Sequence, residues 1–413
     1  RSRVLPEKQR IDDRVAELFV PVILIISLLT FFIWVFFGGI DVVSHGLFAA
    51  LSVLVVACPC AVGLATPVAL AAGLNKAARN HILIRDTSAL EQMRNVDVVV
   101  FDKTGTLTEG HPTVIGWLWA QGQEEHYKDV LLAAESTSDH PLAEAIVTAL
   151  EGEEQVIPAH LDGFENITGK GVRVAYQGAE YWVGSHKLLK DYQANLSDIL
   201  ADMLTQYESD GNSIVYFGRE NDLLAVIAIK DQLRVTSMEA IRELRIQDIE
   251  ICMLTGDGER TASSVAGSLG IMRFVADAMP DDKEDFIHKL QLQGKTVAMV
   301  GDGVNDAQAL SCADVSIAMG KGTDTLMDTA MITLRTSDLL LLPKVFRLSR
   351  QTVSLMYRNL FWAFIYNTVG IFVAAGVLYP VYDILLSPAL AGAAMALSCV
   401  SVALSSLRLS SRF

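Results

Sequence analysis

Four blocks of almost continuous apolar residues are separated along the chain by segments of mixed polarity. They cover residues 18–39, 47–72, 359–381 and 384–407. Each is about as long as the roughly 20 residues that a helix needs to cross a bilayer. Between the second and third blocks, apolar and polar residues mix as they do in soluble domains. The pattern predicts a multi-pass α-helical membrane protein with a large soluble insert.

Three segments of the insert share one pattern, a β-branched apolar strand that runs directly into an acidic residue. They are NVDVVVFDKTGT with Asp102, IEICMLTGDG with Thr255 and Asp257, and TVAMVGDGVNDA with Asp302 and Asp306. Continuous apolar strands are typical of a parallel sheet that is covered on both faces. Ligands of such sheets bind at the carboxyl ends of the strands. We therefore expect an acidic pocket there, which a cation such as Mg²⁺ would stabilise against repulsion between the carboxylates.

The basic residues predict the orientation in the membrane. Lys and Arg occur before the first block, after the second, before the third and after the fourth, whereas the connections GGIDVVSHG and YPVYDILLSP contain none. Basic residues mark the cytoplasmic side, so we expect the insert in the cytoplasm and the helices in the cell (inner) membrane. The net charge of −15 argues against a nucleic-acid partner. The five cysteines lack the spacing of a disulfide framework, which indicates a reducing compartment.

Three motifs, in the order DKTGTLTEG, TGDGERTA and GDGVNDAQAL, resemble the signature set of P-type ATPases. The resemblance covers essentially the whole chain. It implies a Rossmann-type α/β phosphorylation domain of the haloacid-dehalogenase-like class at residues 76–110 and 226–345. An inserted α+β nucleotide-binding domain would occupy residues 111–225. Two transmembrane helices would lie in residues 1–75 and two more in residues 346–413.

The resemblance also implies the roles of the catalytic residues. Asp102 would be the nucleophile that takes the γ-phosphoryl group of ATP and forms an aspartyl phosphate. Lys283 would neutralise the transferring group, and the Thr255 hydroxyl would donate a hydrogen bond to it. These roles agree with the general requirement of phosphoryl transfer for positioning and for cationic charge on the phosphate oxygens.

The Mg²⁺ cofactor would be bound near the same three strand ends. The resemblance implies Asp102, Asp302 and the backbone carbonyl of Thr104 as ligands. Asn305 and Asp306 belong to the same loop, and Asp306 is included among the expected metal-site residues.

Two segments of the insert, AESTSDHPLAEAI and ITGKGV, resemble the nucleotide-binding domain of the heavy-metal branch of the family. Ser185 departs from this branch, which usually has Asn after the preceding glycine. The expected ATP contacts are Glu135, His140, Gly169, Gly171, Gly184 and Asp257.

The second apolar block contains VLVVACPCAVGLATP. Pro59 has no N–H for the carbonyl of Val55 and clashes with it, so the helix should kink or unwind there. Unwinding would let Cys58 and Cys60 converge on one side. Two thiolates suit a soft ion such as Cu(I) or Zn²⁺.

The later spans favour a copper(I) pump over a zinc, cadmium or lead pump. Tyr366, Asn367, Met395 and Ser398 resemble residues of the copper(I) branch, and the Lys and Asp expected of a pump for divalent ions are absent from both spans. Asp13 lies where the family has an acidic residue at the cytoplasmic ion entrance.

The sequence therefore resembles the copper(I)-exporting branch of the heavy-metal P-type ATPases. The resemblance implies ATP-driven export of Cu(I), with membrane lipid, ATP and a copper chaperone as partners. No TGE motif of an actuator domain occurs, so we expect the chain to be the C-terminal part of a longer pump. The alternatives are a Zn, Cd or Pb exporter, a membrane-anchored phosphatase, or an idle metal-binding partner.

Overall fold

The computed structural model divides into two compact units. The first contains Arg1–Asn80, Asp86–Arg94 and Val345–Phe413, and the second contains His81–Arg85 and Asn95–Lys344. The residues that the structure describes are 7–38, 42–58, 60–120, 124–138, 140–153, 156–194, 198–302, 306–320 and 329–411. The description is limited to the backbone at residues 7–19, 38, 124–126, 198–203 and 410–411.

Helices occur in both units. In chain order they are α1 (Glu7–Gly38), α2 (Val43–Val56), α3 (Cys60–Arg79), α4 (Ser88–Met93), α5 (Glu124–Glu135), α6 (Pro141–Glu151), α7 (His186–Asp191), α8 (Asp198–Ser209), α9 (Ser237–Ile246), α10 (Glu259–Leu269), α11 (Pro280–Leu292), α12 (Ala307–Cys312), α13 (Leu341–Ala374), α14 (Tyr379–Tyr382) and α15 (Pro388–Ser411).

Every strand in the described part of the chain belongs to the second unit. They are β1 (Ile82–Ile84), β2 (Val98–Asp102), β3 (Thr113–Trp119), β4 (Gly163–Ile167), β5 (Gly171–Tyr176), β6 (Ala179–Gly184), β7 (Ser213–Arg219), β8 (Asp222–Lys230), β9 (Glu250–Leu254), β10 (Arg273–Val275), β11 (Val297–Gly301), β12 (Val315–Met319) and β13 (Ile332–Leu334).

The long apolar helices of the first unit agree in part with the predicted spans. Three segments of the described chain are long and apolar enough to cross a membrane: Val20–Phe37, Val43–Arg79 and Pro388–Leu409. The predicted third block, 359–381, lies mainly in α13 and is not among them. Its helix ends at Ala374, so the apolar part is shorter than the block, and Gly376 just beyond it has a φ of +91°.

Small buried residues allow the helices of the first unit to pack closely. One cluster contains Ala61 and Ala65 of α3 together with Ala363 of α13 and Val402 of α15. Small side chains at helix interfaces let backbones approach, which is the usual basis of packing in membranes. The residues around the predicted helix break are therefore held against two other helices.

The second unit contains a seven-stranded sheet in the order β1-β13-β12-β11-β2-β9-β10. All its pairings are parallel except that of β1 with β13. Strands β2 and β11 are buried along their whole length, as the apolar runs predict. Because β2 lies between β9 and β11, the three predicted strand ends meet at one edge of the sheet. The Rossmann-type fold class is confirmed.

A second, antiparallel sheet has the order β3-β8-β7-β6-β5-β4. It corresponds to the insert, but the sequence analysis ended this domain at residue 225. Strand β8 runs from Asp222 to Lys230 with a continuous apolar interior, so the boundary at 225 falls inside a strand. The insert extends to the end of that strand.

Candidate active site

Asp102 lies at the carboxyl end of the central strand β2, where Lys283 joins it to another carboxylate. The Lys283 Nζ donates to Asp102 Oδ1 at 2.6 Å and to Asp306 Oδ1 at 2.7 Å. All three residues are buried. Burial alone would lower the pKa of Lys283, but the charges of Asp102 and Asp306 outweigh it and raise the pKa well above its usual range. Lys283 is therefore a fixed positive charge beside Asp102.

The local sequence around Lys283 explains its position. Pro280 occupies the first turn of α11, where its missing N–H costs nothing. The carboxylate of Asp282 accepts from the backbone N–H of Met279 at 2.9 Å and so caps the helix. Helix α11 consequently starts directly at the sheet edge and presents Lys283 from its first turn.

The backbone that follows Asp102 leaves the strand in an irregular turn beside Asp302. Thr104 has extended φ and ψ angles of −74° and 130°, and Gly105 has a φ of +72°. A Cβ on Gly105 would overlap the Asp302 carboxylate, so only glycine fits this close approach. The carboxylates of Asp102 and Asp302 and the carbonyl of Thr104 are hard oxygen donors of the kind that Mg²⁺ takes. The residues present therefore fit the expected cofactor.

Thr255 and Asp257 form a second cluster with Lys103. Thr255 Oγ1 donates to Asp257 Oδ2 at 2.8 Å and accepts from the Asp257 N–H at 3.1 Å. The Lys103 Nζ pairs with Asp257 and donates to Ser213 Oγ at 3.0 Å. Burial would raise the pKa of Asp257, but the Lys103 charge overcomes it and the net shift is downward. The sequence analysis did not identify Lys103, although it lies next to Asp102.

A buried arginine that the sequence analysis also missed supports the turn after Asp102. Arg234 is 8% exposed. It donates from Nε to the carbonyl of Thr106 at 3.0 Å, and from Nη2 to the carbonyls of Gly105 and, at 3.4 Å, Glu109. Three main-chain oxygens of one turn are thus held by one rigid side chain.

Asp231 holds the other side of the same turn. It accepts from the hydroxyl of Thr108 and, at 3.1 Å, from the N–H of Gly110. Asp231 follows strand β8 directly, so the strand-then-acid pattern could have found it. The sequence analysis did not identify Asp231.

The insert contains the expected nucleotide residues Glu135 and His140. Glu135 ends α5 and is 6% exposed, and burial raises the pKa of its carboxyl to about 7. His140 precedes α6, where its Nδ1 accepts from the N–H of Leu142 at 3.2 Å. This bond leaves the proton on Nε2, which can act as a donor to a ligand.

The three expected glycines are required by the fold of the insert. Gly171 of β5 pairs with Gly184 of β6, and its φ is +146°. A Cβ on Gly171 would overlap the carbonyl of Val183, and one on Gly184 would overlap that of Lys170. Gly169 has a φ of +70° in the turn before β5. Backbone conformation and close packing therefore account for these glycines.

Cys58 and Cys60 lie where α2 ends and α3 begins. The structure joins their sulfurs in a disulfide, whereas the sequence analysis expected no disulfide. The difference arises because the interruption between the two helices brings both thiols to one place. Reduction of this bond leaves two adjacent thiols, which is the arrangement that a soft ion requires.

The remaining expected ion-site residues differ in exposure. Asn367 of α13 and Ser398 of α15 are buried, at 6% and 7% exposed. Met395 is half-buried, and Tyr366 is 46% exposed and stacks on the Trp362 ring with centroids 5.7 Å apart. Three further residues named in the sequence analysis lie outside this description: the side chain of Asp13, whose backbone is in α1, and the whole of Pro59 and of Asn305.

Comparison with known proteins gives a family for the sheet unit. The profile of the haloacid dehalogenase-like hydrolases matches residues 96–314. This range contains the strand ends that carry Asp102, Thr255 and Asp302, together with the insert.

Curated relatives match almost the whole chain. A copper-exporting P-type ATPase of Legionella pneumophila is 43% identical over 401 residues, which are 97% of this chain and 54% of that protein. A silver exporting P-type ATPase of Salmonella typhimurium is 44% identical over 98% of this chain and 49% of that protein. A copper-exporting P-type ATPase of Vibrio cholerae is 41% identical over 98% of this chain and 44% of that protein. The chain spans about half the length of the curated relatives it matches.

Solved structures are similar to almost the whole chain and to about two thirds of it. A zinc-transporting PIB-type ATPase in its E2.Pi state has a TM-score of 0.68 and 32% identity, over 96% of this chain and 63% of that one. The catalytic domain of the CPx-ATPase CopB-B has a TM-score of 0.55 and 28% identity, over 66% of this chain and 97% of that one.

Proposed function

The chain belongs to the haloacid dehalogenase-like hydrolase family, and from this we propose that it carries the phosphorylation, nucleotide-binding and ion-binding parts of a copper(I)-exporting P-type ATPase. The observation that carries the proposal is the buried bridge from Lys283 to Asp102 and Asp306 at the edge of the parallel sheet. The names of the curated relatives support the same activity.

The Asp102 carboxylate is the proposed nucleophile. An Oδ atom of Asp102 forms a bond to the γ-phosphorus of ATP, the bond from that phosphorus to the bridging oxygen breaks, and ADP leaves with the electron pair. Lys283 orients the carboxylate and neutralises the charge on the phosphoryl oxygens. Arg234 and Asp231 hold the turn that follows, so the reacting oxygen keeps its position.

Mg²⁺ is the proposed cofactor. Asp102, Asp302 and the Thr104 carbonyl would hold it, and when bound it supplies positive charge to the phosphate oxygens. In the insert, Glu135 and His140 are proposed to contact the nucleotide, together with the backbone at Gly169, Gly171 and Gly184. Asp257, which bonds to Thr255 and Lys103, would hold these two side chains in position.

The transported ion is proposed to be Cu(I), bound by the reduced thiols of Cys58 and Cys60. The ion would enter from the cytoplasm beside Asp13. The pathway would be completed by the buried Asn367 and Ser398 together with Met395 and Tyr366. The soft donor set and the absence of Lys and Asp from residues 359–381 and 384–407 support a soft monovalent ion over Zn²⁺. Ag(I) shares this chemistry and is exported by one relative.

The location proposed for the protein is the cell (inner) membrane, with several spans and the sheet unit in the cytoplasm. The distribution of Lys and Arg supports this orientation. A copper chaperone would deliver Cu(I) from that side, because free copper does not persist among cytoplasmic thiols. The first Cu(I) ligand would be a group at the cytoplasmic end of the membrane unit.

The test is Asp102→Asn in the complete pump. We expect the variant to lose acid-stable labelling from γ-labelled ATP, because an amide is not a nucleophile for this reaction. The matched control is Asp97→Asn, at the other end of the same strand, where the exposed carboxylate accepts from the Thr296 N–H at 2.9 Å. Labelling that persists in Asp102→Asn, or is lost equally in Asp97→Asn, would contradict the proposed function.

A further inference from the structure

A group of three potential metal ligands lies outside the site described above. Glu284 and His288 are four residues apart on α11, and Cys312 ends α12. A carboxylate oxygen of Glu284, a ring nitrogen of His288 and the Cys312 sulfur all lie within 4.8 Å of one another. Cys312 Sγ is 3.3 Å from Glu284 Oε1, and His288 Nε2 is 3.5 Å from the same oxygen.

These separations match those between ligands of one small metal ion. Bond lengths of about 2.0–2.3 Å in a tetrahedral zinc site correspond to ligand separations of roughly 3.3–3.8 Å. Two of the three pairs already have such separations, and the third pair, His288 and Cys312, lies within 4.8 Å. The group is also partly exposed, so an ion can reach it from solvent.

A hydrogen-bond network orients the histidine for this role. The Gln291 Nε2 donates to the Cys312 carbonyl at 2.9 Å and to Asp314 Oδ2 at 3.3 Å. The two acceptors fix the orientation of the Gln291 amide, so its Oε1 faces His288 Nδ1 at 3.1 Å. Nδ1 must then carry the proton, and the lone pair of Nε2 points to the side of Glu284. Metal-binding histidines are usually held in this way by a second hydrogen bond.

We propose that Glu284, His288 and Cys312 form a binding site for a divalent zinc-class ion, separate from the transport pathway. The mixed oxygen, nitrogen and sulfur donors suit Zn²⁺, with a water molecule as fourth ligand. They suit Cu(I) poorly, because a carboxylate is a hard ligand. The ion would tie the end of α12 to α11, the helix that presents Lys283 to the phosphorylation site.

The test is Zn²⁺ binding to the full chain, measured by equilibrium dialysis with metal analysis. Changes to outer hydrogen-bond partners alone cost about 10–100-fold in metal affinity. We therefore expect His288→Gln and Cys312→Ser each to weaken one Zn²⁺ equivalent at least tenfold. His160→Gln, which changes an exposed histidine of the insert, is the control and should keep the full stoichiometry.

Cobalt substitution separates this site from the proposed transport site. Co²⁺ bound through a thiolate gives a charge-transfer absorption band. We expect the band to be lost in Cys312→Ser and kept in the double variant Cys58→Ser, Cys60→Ser. This result does not depend on whether the chain is phosphorylated by ATP or binds Cu(I). A band lost only in the double variant, or Zn²⁺ binding that is unchanged in both single variants, would overturn the proposal.

Discussion

Arg234 should control the stability of the turn that carries the proposed nucleophile. Its guanidinium binds the carbonyls of Gly105, Thr106 and Glu109 from a buried position. Lysine keeps the charge but has a single nitrogen on a flexible stem, so Arg234→Lys can retain at most one of the two shorter bonds. The variant tests the geometry of the clamp without removing its charge.

The expected change in the opening free energy of the turn follows from the hydrogen bond that is lost. A hydrogen bond to a charged group contributes about 1.5–3 kcal/mol. The Glu109 contact is long and adds little, so the opening free energy of the turn should fall by about this amount. Since about 1.4 kcal/mol is a factor of ten, amide exchange at residues 103–110 should accelerate roughly 10- to 150-fold.

Hydrogen exchange followed by mass spectrometry measures this directly. Arg242→Lys is the matched control, because Arg242 is an exposed arginine on the neighbouring helix α9. Exchange in the turn should be unchanged in the control. Unchanged exchange in Arg234→Lys would refute the clamp, and equal acceleration in both variants would show a general effect of arginine replacement.

Two further changes test the nucleotide and ion sites. The pKa of Glu135 is about 7, so the folded protein keeps this proton between pH 4.5 and about 7 while the unfolded chain loses it. The free energy of unfolding therefore falls by about 3 kcal/mol as the pH rises across that window. Glu135→Gln should remove this pH dependence of stability and should abolish an infrared carboxylic-acid band that titrates near pH 7. The control Glu151→Gln should keep the pH dependence and the band. A band that is unaltered in Glu135→Gln would show that another acid titrates. In the membrane unit, Cys58→Ser with Cys60→Ser should eliminate high-affinity Cu(I) binding by the reduced protein, because hydroxyls are poor ligands for soft ions. Cys399→Ser, on α15, should retain it; Cu(I) stoichiometry that survives the double change would place the metal elsewhere.

The arrangement of the acidic residues could be predicted from sequence because it follows from sheet topology. An apolar strand that ends in Asp must present it at the carboxyl edge, and parallel strands share that edge. The strand pairing confirms the prediction that Asp102 lies at the same edge as the residues after β9 and after β11.

The partners of these acids could not be predicted in the same way. Lys103 bonds to Ser213, which is 110 positions away on a strand of the other sheet. Arg234 reaches back across more than a hundred residues to the turn after Asp102. No periodicity marks such contacts, because each depends on how the insert returns to the first sheet.

Helix and domain limits were less accurate because composition changes more gradually than structure. The apolar block at 359–381 continues past the end of α13, where the backbone at Gly376 turns away. Strand β8 likewise crosses the domain limit at residue 225, since nothing in its apolar run marks a change of domain.

The balance of charge at the sheet edge gives a physical reason for a divalent cofactor. Lys283 is shared between two carboxylates, and Lys103 is paired with a third. Asp302 and Asp231 add two more, and the Arg234 guanidinium lies near both. Among the residues that the structure describes, these five acids therefore outnumber the three cationic side chains near them, and repulsion between neighbouring carboxylates favours the binding of further positive charge. In the proposed function, ATP would bring further negative charge to the same edge. Asp102, Asp302 and the Thr104 carbonyl would hold a Mg²⁺ whose positive charge offsets this excess, and Lys283 would neutralise the phosphoryl group in the proposed transfer to Asp102.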